Sequence, residues 1–318
     1  MAFWRNQLSG PTDPAADAAW DRHEDRKGFF TDTSICIGCK ACEVACKEWN
    51  GVPDDGFDLL GMSYDNTGGL TANSWRHVAF IEQPTHPVDV LAAAGTSPDT
   101  GTDPGVPPAP QFLGMPQSDL PGRVPDAPRT DFRWLMMSNV CKHCTHAGCL
   151  DVCPTGSLFR TEFGTVVVQE DICNGCGYCI PACPYGVIDQ RKDDGRAWKC
   201  TLCYDRIGDG LTPACAKACP TESIQFGELD ELRERAGHRL ASLREQGESS
   251  ARLYGHDPSD GVGGDGAFFL LLDEPEVYGL PPDPVVTTKD LPSMWKHAGV
   301  AALAMVGAAV VAFAGRRR

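Results

Sequence analysis

The sequence predicts an α+β fold of two tandem modules with long loops, closed by a single C-terminal transmembrane helix. Three observations predict it. All 16 cysteines of the 318 residues fall between Cys36 and Cys219, in four groups of four. The chain's 34 glycines and 25 prolines make loops abundant and long helices few. An uncharged run, Ala298–Ala314, stands near the end of an otherwise polar chain. The length suits more than one lobe. Acidic residues outnumber basic ones 43 to 28, and the net charge of −15 argues against a nucleic-acid surface. A collagen, a coiled coil and a multi-pass membrane protein are excluded by the same composition.

Residues 1–30 contain no apolar run of the kind a secretory signal carries and are expected to form a peripheral arm. The first cysteine group, Cys36, Cys39, Cys42 and Cys46, is spaced C-x2-C-x2-C-x3-C, and Glu43–Trp49 should continue from it as a short helix. Trp75–Glu82 and Phe132–Ser138 are strand-like. Between them, residues 84–130 hold 11 of the 25 prolines and read as an insertion running over the surface. The second group is Cys141, Cys144, Cys149 and Cys153. A hairpin should follow, with Ser157–Arg160 and Thr165–Gln169 joined by a turn at Glu162–Gly164. The third group, Cys173, Cys176, Cys179 and Cys183, repeats the first spacing. Val187–Arg191 and Arg196–Lys199 form a second candidate hairpin around Asp193–Gly195. The fourth group is Cys200, Cys203, Cys215 and Cys219. Pro154, Pro184 and Pro220 directly follow the last cysteine of groups two to four.

Beyond the cysteines, Leu229, Leu232, Ala236, Leu240 and Leu243 recur at helical spacing and predict an amphipathic helix of about four turns, its apolar face directed to the core. Residues 255–290 are rich in Gly, Pro and Asp, with one buried strand at Ala267–Leu272, and suit an extended segment lying over a partner. At 1.5 Å per residue, Ala298–Ala314 covers about 26 Å, slightly short of a 30 Å hydrocarbon core. Trp295 and the terminal Arg316, Arg317 and Arg318 extend it. Those three arginines against Lys296 put the C-terminus in the cytoplasm and the body on the extracytoplasmic side. A tail-anchored protein with a cytoplasmic body is the alternative.

Three thiolates at x2–x2 spacing lie on one tight loop that wraps three irons of a cubane, while the fourth, three residues on, reaches a neighbouring cluster. Sixteen cysteines at four per cubane give four [4Fe–4S] clusters with no thiol unused. A disulfide framework belongs to small secreted chains, and structural zinc takes C-x2-C pairs across a long spacer, which only the fourth group resembles. His143 and His146 lie inside the second group, whose four cysteines already suffice, so they read as loop residues. The first hairpin makes groups two and three neighbours, as in a two-cluster ferredoxin. The second hairpin leaves a pairing of three with four open.

The stretches CIGCKACEVACKEWN from Cys36, CNGCGYCIPACPYGVI from Cys173, KCTLCYDRI from Lys199 and PACAKACPTESIQFGELDEL from Pro213 resemble the iron–sulfur (beta) subunit of membrane-bound respiratory formate dehydrogenase, of the molybdopterin-oxidoreductase group. LYGHDPSDGVGG from Leu253, EPEVYGLPPDP from Glu274 and the single C-terminal span carry the likeness beyond the cysteines. The resemblance implies nested ligand sets. Cys36, Cys39, Cys42 and Cys219 hold one cluster, and Cys46, Cys200, Cys203 and Cys215 its neighbour. Cys141, Cys144, Cys149 and Cys183 hold a third, and Cys153, Cys173, Cys176 and Cys179 the fourth. Two ferredoxin-like modules follow, one from residues 31–83 and 184–228 with groups one and four, the other from 131–183 with groups two and three. Residues 229–290 then form the helix and partner-contacting segment, and 291–318 the anchor.

No Ser/His/Asp or paired-carboxylate constellation stands out, and Gly261–Gly264 lacks the strand–turn–helix setting of a nucleotide loop. The chain is therefore expected to conduct electrons and not to catalyse. By resemblance, its partners are a molybdopterin-containing catalytic subunit that oxidises formate at molybdenum or tungsten, a membrane cytochrome b that reduces quinone, and lipid around the C-terminal helix. A folded body of this kind is expected to cross as cargo of a twin-arginine partner. The same conductor in a hydrogenase or a sulfur-compound reductase is the nearest alternative. A zinc-stabilised scaffold and a standalone enzyme are rivals of other classes.

Overall fold

The computed structural model describes residue 20 and residues 24–56, 67–84 and 132–315. The Pro-rich insertion beyond Pro84, most of the N-terminal arm and Arg316–Arg318 lie outside the described residues. The regular elements, in chain order, begin with β1 (Lys27–Asp32), α1 (Ala41–Asn50), β2 (Arg76–Pro84) and β3 (Phe132–Val140). Then come α2 (Gly148–Asp151), β4 (Leu158–Arg160), β5 (Val166–Val168), α3 (Cys179–Ala182), β6 (Asp189–Gln190) and β7 (Ala197–Trp198). The series ends with α4 (Tyr204–Gly208), α5 (Ala214–Lys217), β8 (Ile224–Glu228), α6 (Leu229–Glu245), β9 (Arg252–Tyr254), β10 (Ala267–Leu271) and α7 (Leu291–Gly315). Contacts divide the chain into residues 1–80 with 136–318, and residues 81–135. In the smaller unit Arg133 Nε donates to Gln83 Oε1 at 2.7 Å.

Four strands form the main sheet in the order β8-β1-β10-β9. The two central strands, β1 and β10, run parallel with Phe30 opposite Phe268. Both flanking pairs are antiparallel. Side chains alternate across a strand, so Phe30, Phe268 and Leu270 share one face. There they meet Leu229, Leu232, Ala236 and Leu243 of α6, and the Phe30 and Phe268 rings stack at 5.3 Å. Phe29 and Phe269 belong to the opposite face, which turns toward the cysteine loops.

This sheet corrects one expectation and bears out another. Lys27 to Phe30, assigned by sequence to a peripheral arm, begin a central strand, with Phe29 and Phe30 wholly buried. Ala267–Leu271 is the buried strand expected there, a run of five apolar residues covered on both faces. Both expected hairpins are present as antiparallel pairs, β4 with β5 and β6 with β7. Ile188 and Ala197 of the second hairpin pack with Ala147, Leu158, Val166 and Cys179, in the core that surrounds groups two and three. The amphipathic helix α6 buries four of the five positions picked out by spacing.

Helix α7 is longer than the uncharged run. Ser293–Ala314 is a 22-residue stretch whose most apolar 18 residues have a mean hydropathy of 2.0, apolar enough and long enough to cross a membrane. At 1.5 Å per residue it covers about 33 Å, Lys296 and His297 included.

Candidate iron–sulfur sites

Each C-x2-C loop turns through a left-handed residue two places after its first cysteine. These residues are Gly38 (φ 64°), His143 (φ 47°), Gly175 (φ 71°) and Leu202 (φ 58°). The glycines adopt this conformation freely, whereas His143 and Leu202 are held there by burial at 2% and 0% exposure. Gly38 also leaves room for neighbours, because a Cβ there would stand 2.6 Å from Met136 Sδ and from the Phe80 ring. Four loops of different sequence thus share one bend.

In each group the third cysteine lies on a helix and the fourth follows one turn later. Cys42 and Cys46 lie on α1, and α5 carries Cys215 with Cys219 just past its end. Cys149 lies on α2 with Cys153 beyond it, and Cys179 on α3 with Cys183 beyond it. Helix α1 packs on α5, and α2 on α3. Residues four apart share a helix face, so the two cysteines of each group stand one above the other along it.

The thiols gather accordingly. Cys36, Cys39, Cys42 and Cys219 line one small cavity, together with Ser138 and Ser223. Cys141, Cys144, Cys149 and Cys183 line another. Cys46 has Cys200, Cys215 and Cys203 as charge neighbours, and Cys179 has Cys173, Cys153 and Cys176. Among the described residues no three His, Cys, Asp or Glu side chains converge as around a single ion.

The donor chemistry fits a polynuclear iron group. Burial pushes the Cys200 thiol up to about 12, and the neighbouring Cys141, Cys215 and Cys203 thiols add to it. Burial likewise lifts Cys179 to about 11. Thiols so placed stay protonated at neutral pH unless positive charge is brought among them, which bound iron supplies. Sulfur-directed donors are also in place. Leu202 N–H donates to Cys200 Sγ at 3.3 Å and Ala197 N–H to Cys173 Sγ at 3.4 Å. Asn50 Nδ2 reaches both Cys46 Sγ, at 3.7 Å, and Cys203 Sγ, at 3.9 Å. Thr155 and Thr221, each two residues past a group's last cysteine, place hydroxyls 3.6 Å from Cys153 Sγ and 3.8 Å from Cys219 Sγ. His143 spends Nδ1 on the Val166 N–H at 3.1 Å, and His146 N–H donates to the Val262 carbonyl.

Two 4Fe-4S dicluster domain profiles match the chain, over residues 35–157 and 132–229. The nitrate-inducible formate dehydrogenase iron–sulfur subunit of Escherichia coli K12 is 36% identical over 271 residues, covering 84% of this chain and 76% of that protein. The formate dehydrogenase-O iron–sulfur subunit of the same organism is 35% identical over 313 residues, covering 96% of this chain and 88% of its own. The chain belongs to the formate dehydrogenase iron–sulfur subunit family. The B subunit of the anaerobic dimethyl sulfoxide reductase of E. coli K12 is more narrowly related, 33% identical over 215 residues, or 67% of this chain and 79% of that protein. As a formate dehydrogenase iron–sulfur subunit, the chain is an electron-transfer component of an oxidoreductase and carries [4Fe–4S] clusters.

Proposed function

We propose that the chain binds four [4Fe–4S] clusters in the nested sets given by the resemblance, and relays electrons from a pterin-bound molybdenum or tungsten formate dehydrogenase subunit to a membrane cytochrome b and the quinone pool. The observation that supports this reading is that Cys36, Cys39, Cys42 and Cys219 line one cavity and Cys141, Cys144, Cys149 and Cys183 another, with the remaining thiols beside one another. The quartet of Cys36, Cys39, Cys42 and Cys219 adjoins that of Cys46, Cys200, Cys203 and Cys215 through Cys42 and Cys215. Cys200 of the second adjoins Cys141 of the third. Cys149 of the third adjoins Cys179 of the fourth.

When bound, a [4Fe–4S] cluster supplies one-electron chemistry with little rearrangement, over a range of potentials that the protein sets. The residues of this chain fix where that chemistry sits and how wet it is. Every cysteine of the second quartet is buried, whereas Cys39 and Cys176, at opposite ends of the row, are exposed. Entry and exit of electrons belong at these ends. The third and fourth quartets lie near the root of the membrane helix. Thr288 Oγ1 donates to Asp151 Oδ2, between Cys149 and Cys153, and Leu291 N–H donates to the Thr288 carbonyl. Exit toward the membrane therefore falls at the Cys176 end, and entry from the catalytic subunit at the Cys39 end. The ferredoxin-like modules, the extracytoplasmic body and export with a twin-arginine partner complete the reading.

Anaerobic purification of the complex from membranes tests it. A formate-oxidising subunit should co-purify, with iron and acid-labile sulfide equivalent to four cubanes in this chain. A colourless chain, or one that co-purifies with a sulfoxide-reducing subunit, overturns it. The relationship to the dimethyl sulfoxide reductase subunit favours the second outcome, whereas similarity along 96% of the chain favours formate.

A further inference from the structure

Arg76 is among the most deeply buried side chains of the protein, at 2% exposure. Burying a guanidinium is costly unless it is paired and hydrogen-bonded. Its Nη1 donates to Ser138 Oγ at 2.9 Å, and that hydroxyl lies 3.2 Å from Cys42 Sγ. Its flat face rests on Phe29, 5.0 Å from the ring centroid, which fixes the plane of the fork. Nε and Nη2 have no hydrogen-bond partner, and Arg76 is alone among the described residues in leaving two buried nitrogen atoms so. The opposite charges that bear most on it are thiols: Cys215, Cys42, Cys200 and Cys46. Cys42 belongs to the first quartet and the other three to the second.

The other deeply buried cations near thiols are spent locally. Lys142 Nζ donates to Asn139 Oδ1 and the Val140 carbonyl, and Lys199 Nζ to the carbonyls of Val166 and Cys200. Arg76 keeps two donors in reserve, at the seam between two quartets.

We propose that Arg76 is a tuning residue shared by two clusters: its charge and its two free N–H groups face the sulfur atoms of the first and second quartets and raise the reduction potentials of both. The proposal rests on the ligand sets given above. Four thiolates around a cubane leave a net negative charge that grows by one on reduction. A fixed cation beside it therefore favours the reduced form, and N–H donation to sulfur acts in the same direction. A charge lying between two such groups moves both potentials and moves those of the third and fourth quartets less.

The test uses the whole complex, purified anaerobically, with Arg76→Gln and Arg76→Lys variants. Iron and sulfide content is measured first, and a wild-type complex without clusters overturns the functional reading itself. Redox titration followed by electron paramagnetic resonance comes next, the components being assigned with ligand variants in each quartet. In Arg76→Gln the equilibrium constant for electron uptake should fall tenfold or more at the first two quartets, a downward shift of about 59 mV for one electron. Arg76→Lys keeps the charge and loses the fork, so the same two components should fall by less. Full cluster content with all four potentials unmoved in Arg76→Gln refutes the proposal, as does a shift confined to the third and fourth quartets. If Arg76→Gln does not assemble, unmoved potentials in Arg76→Lys refute it.

Discussion

Replacing Gly175 by alanine isolates how closely the third loop is held. Gly175 has φ 71°, and a Cβ there would stand 2.3 Å from the Gly195 carbonyl oxygen, in the turn of the β6–β7 hairpin. Gly210 has the same φ of 71°, but a Cβ there would meet nothing within 4 Å. Alanine at either position incurs the left-handed penalty of about 1–2 kcal/mol. Only at 175 must the loop also retreat, by about 1 Å, to restore ordinary contact. That retreat breaks the Gln190 Nε2 bond to the Gly175 carbonyl, 2.8 Å long, and draws Cys173 Sγ from the Ala197 N–H. Cys173 and Cys176 flank the moved residue, so the fourth quartet opens. Iron quantitation and paramagnetic resonance on anaerobic complexes should show one cluster of four lost or converted in Gly175→Ala, and all four retained in Gly210→Ala. Equal cluster content and equal thermal stability in the two variants would refute the reasoning.

Three further outcomes are expected. Cys219→Ala should disturb the signal of the cluster held by the first group, more than 170 residues away; loss of a signal assigned to Cys200 and Cys203 instead contradicts the nested sets. Leu232→Ala removes a side chain with 1% exposure from the core between α6 and the sheet. It should lower stability by about 2–5 kcal/mol, read as a fall in unfolding temperature with cluster potentials unchanged. Truncation after Leu291 removes the exposed apolar helix, which should release the complex from membranes and spare dye-linked formate oxidation; unchanged sedimentation with the membrane counts against the anchor.

Much of this architecture was open to reading because it is local. Both hairpins, α1, α6 and α7 follow from spacing within some twenty residues, where turn glycines and periodic leucines act on near neighbours. The cysteine spacing likewise announces four loops. What spacing could not convey is held by distant contacts. Nothing around Phe29 or Phe268 says that β1 and β10 pair in parallel, which is how part of the expected arm became the middle of the sheet. Leu202 and His143 give no local signal of left-handed backbone; their conformation is imposed by burial. Arg76 reads as one arginine in a strand-like stretch, and only its surroundings reveal the thiols on either side. Asn50 stands within one of the stretches that carry the family resemblance, but its reach to two sulfur atoms of one quartet is visible only in three dimensions.

The pairing of β1 with β10 bears on how the protein matures. Thr33 Oγ1 bonds the Leu270 carbonyl, linking positions 237 apart in the chain. While the polypeptide is being synthesised, the middle of the sheet cannot close until residue 271 has left the ribosome, by which time every cysteine has already emerged. Contacts so remote form slowly, so the sheet closes over the cysteine loops only after all of them have been made.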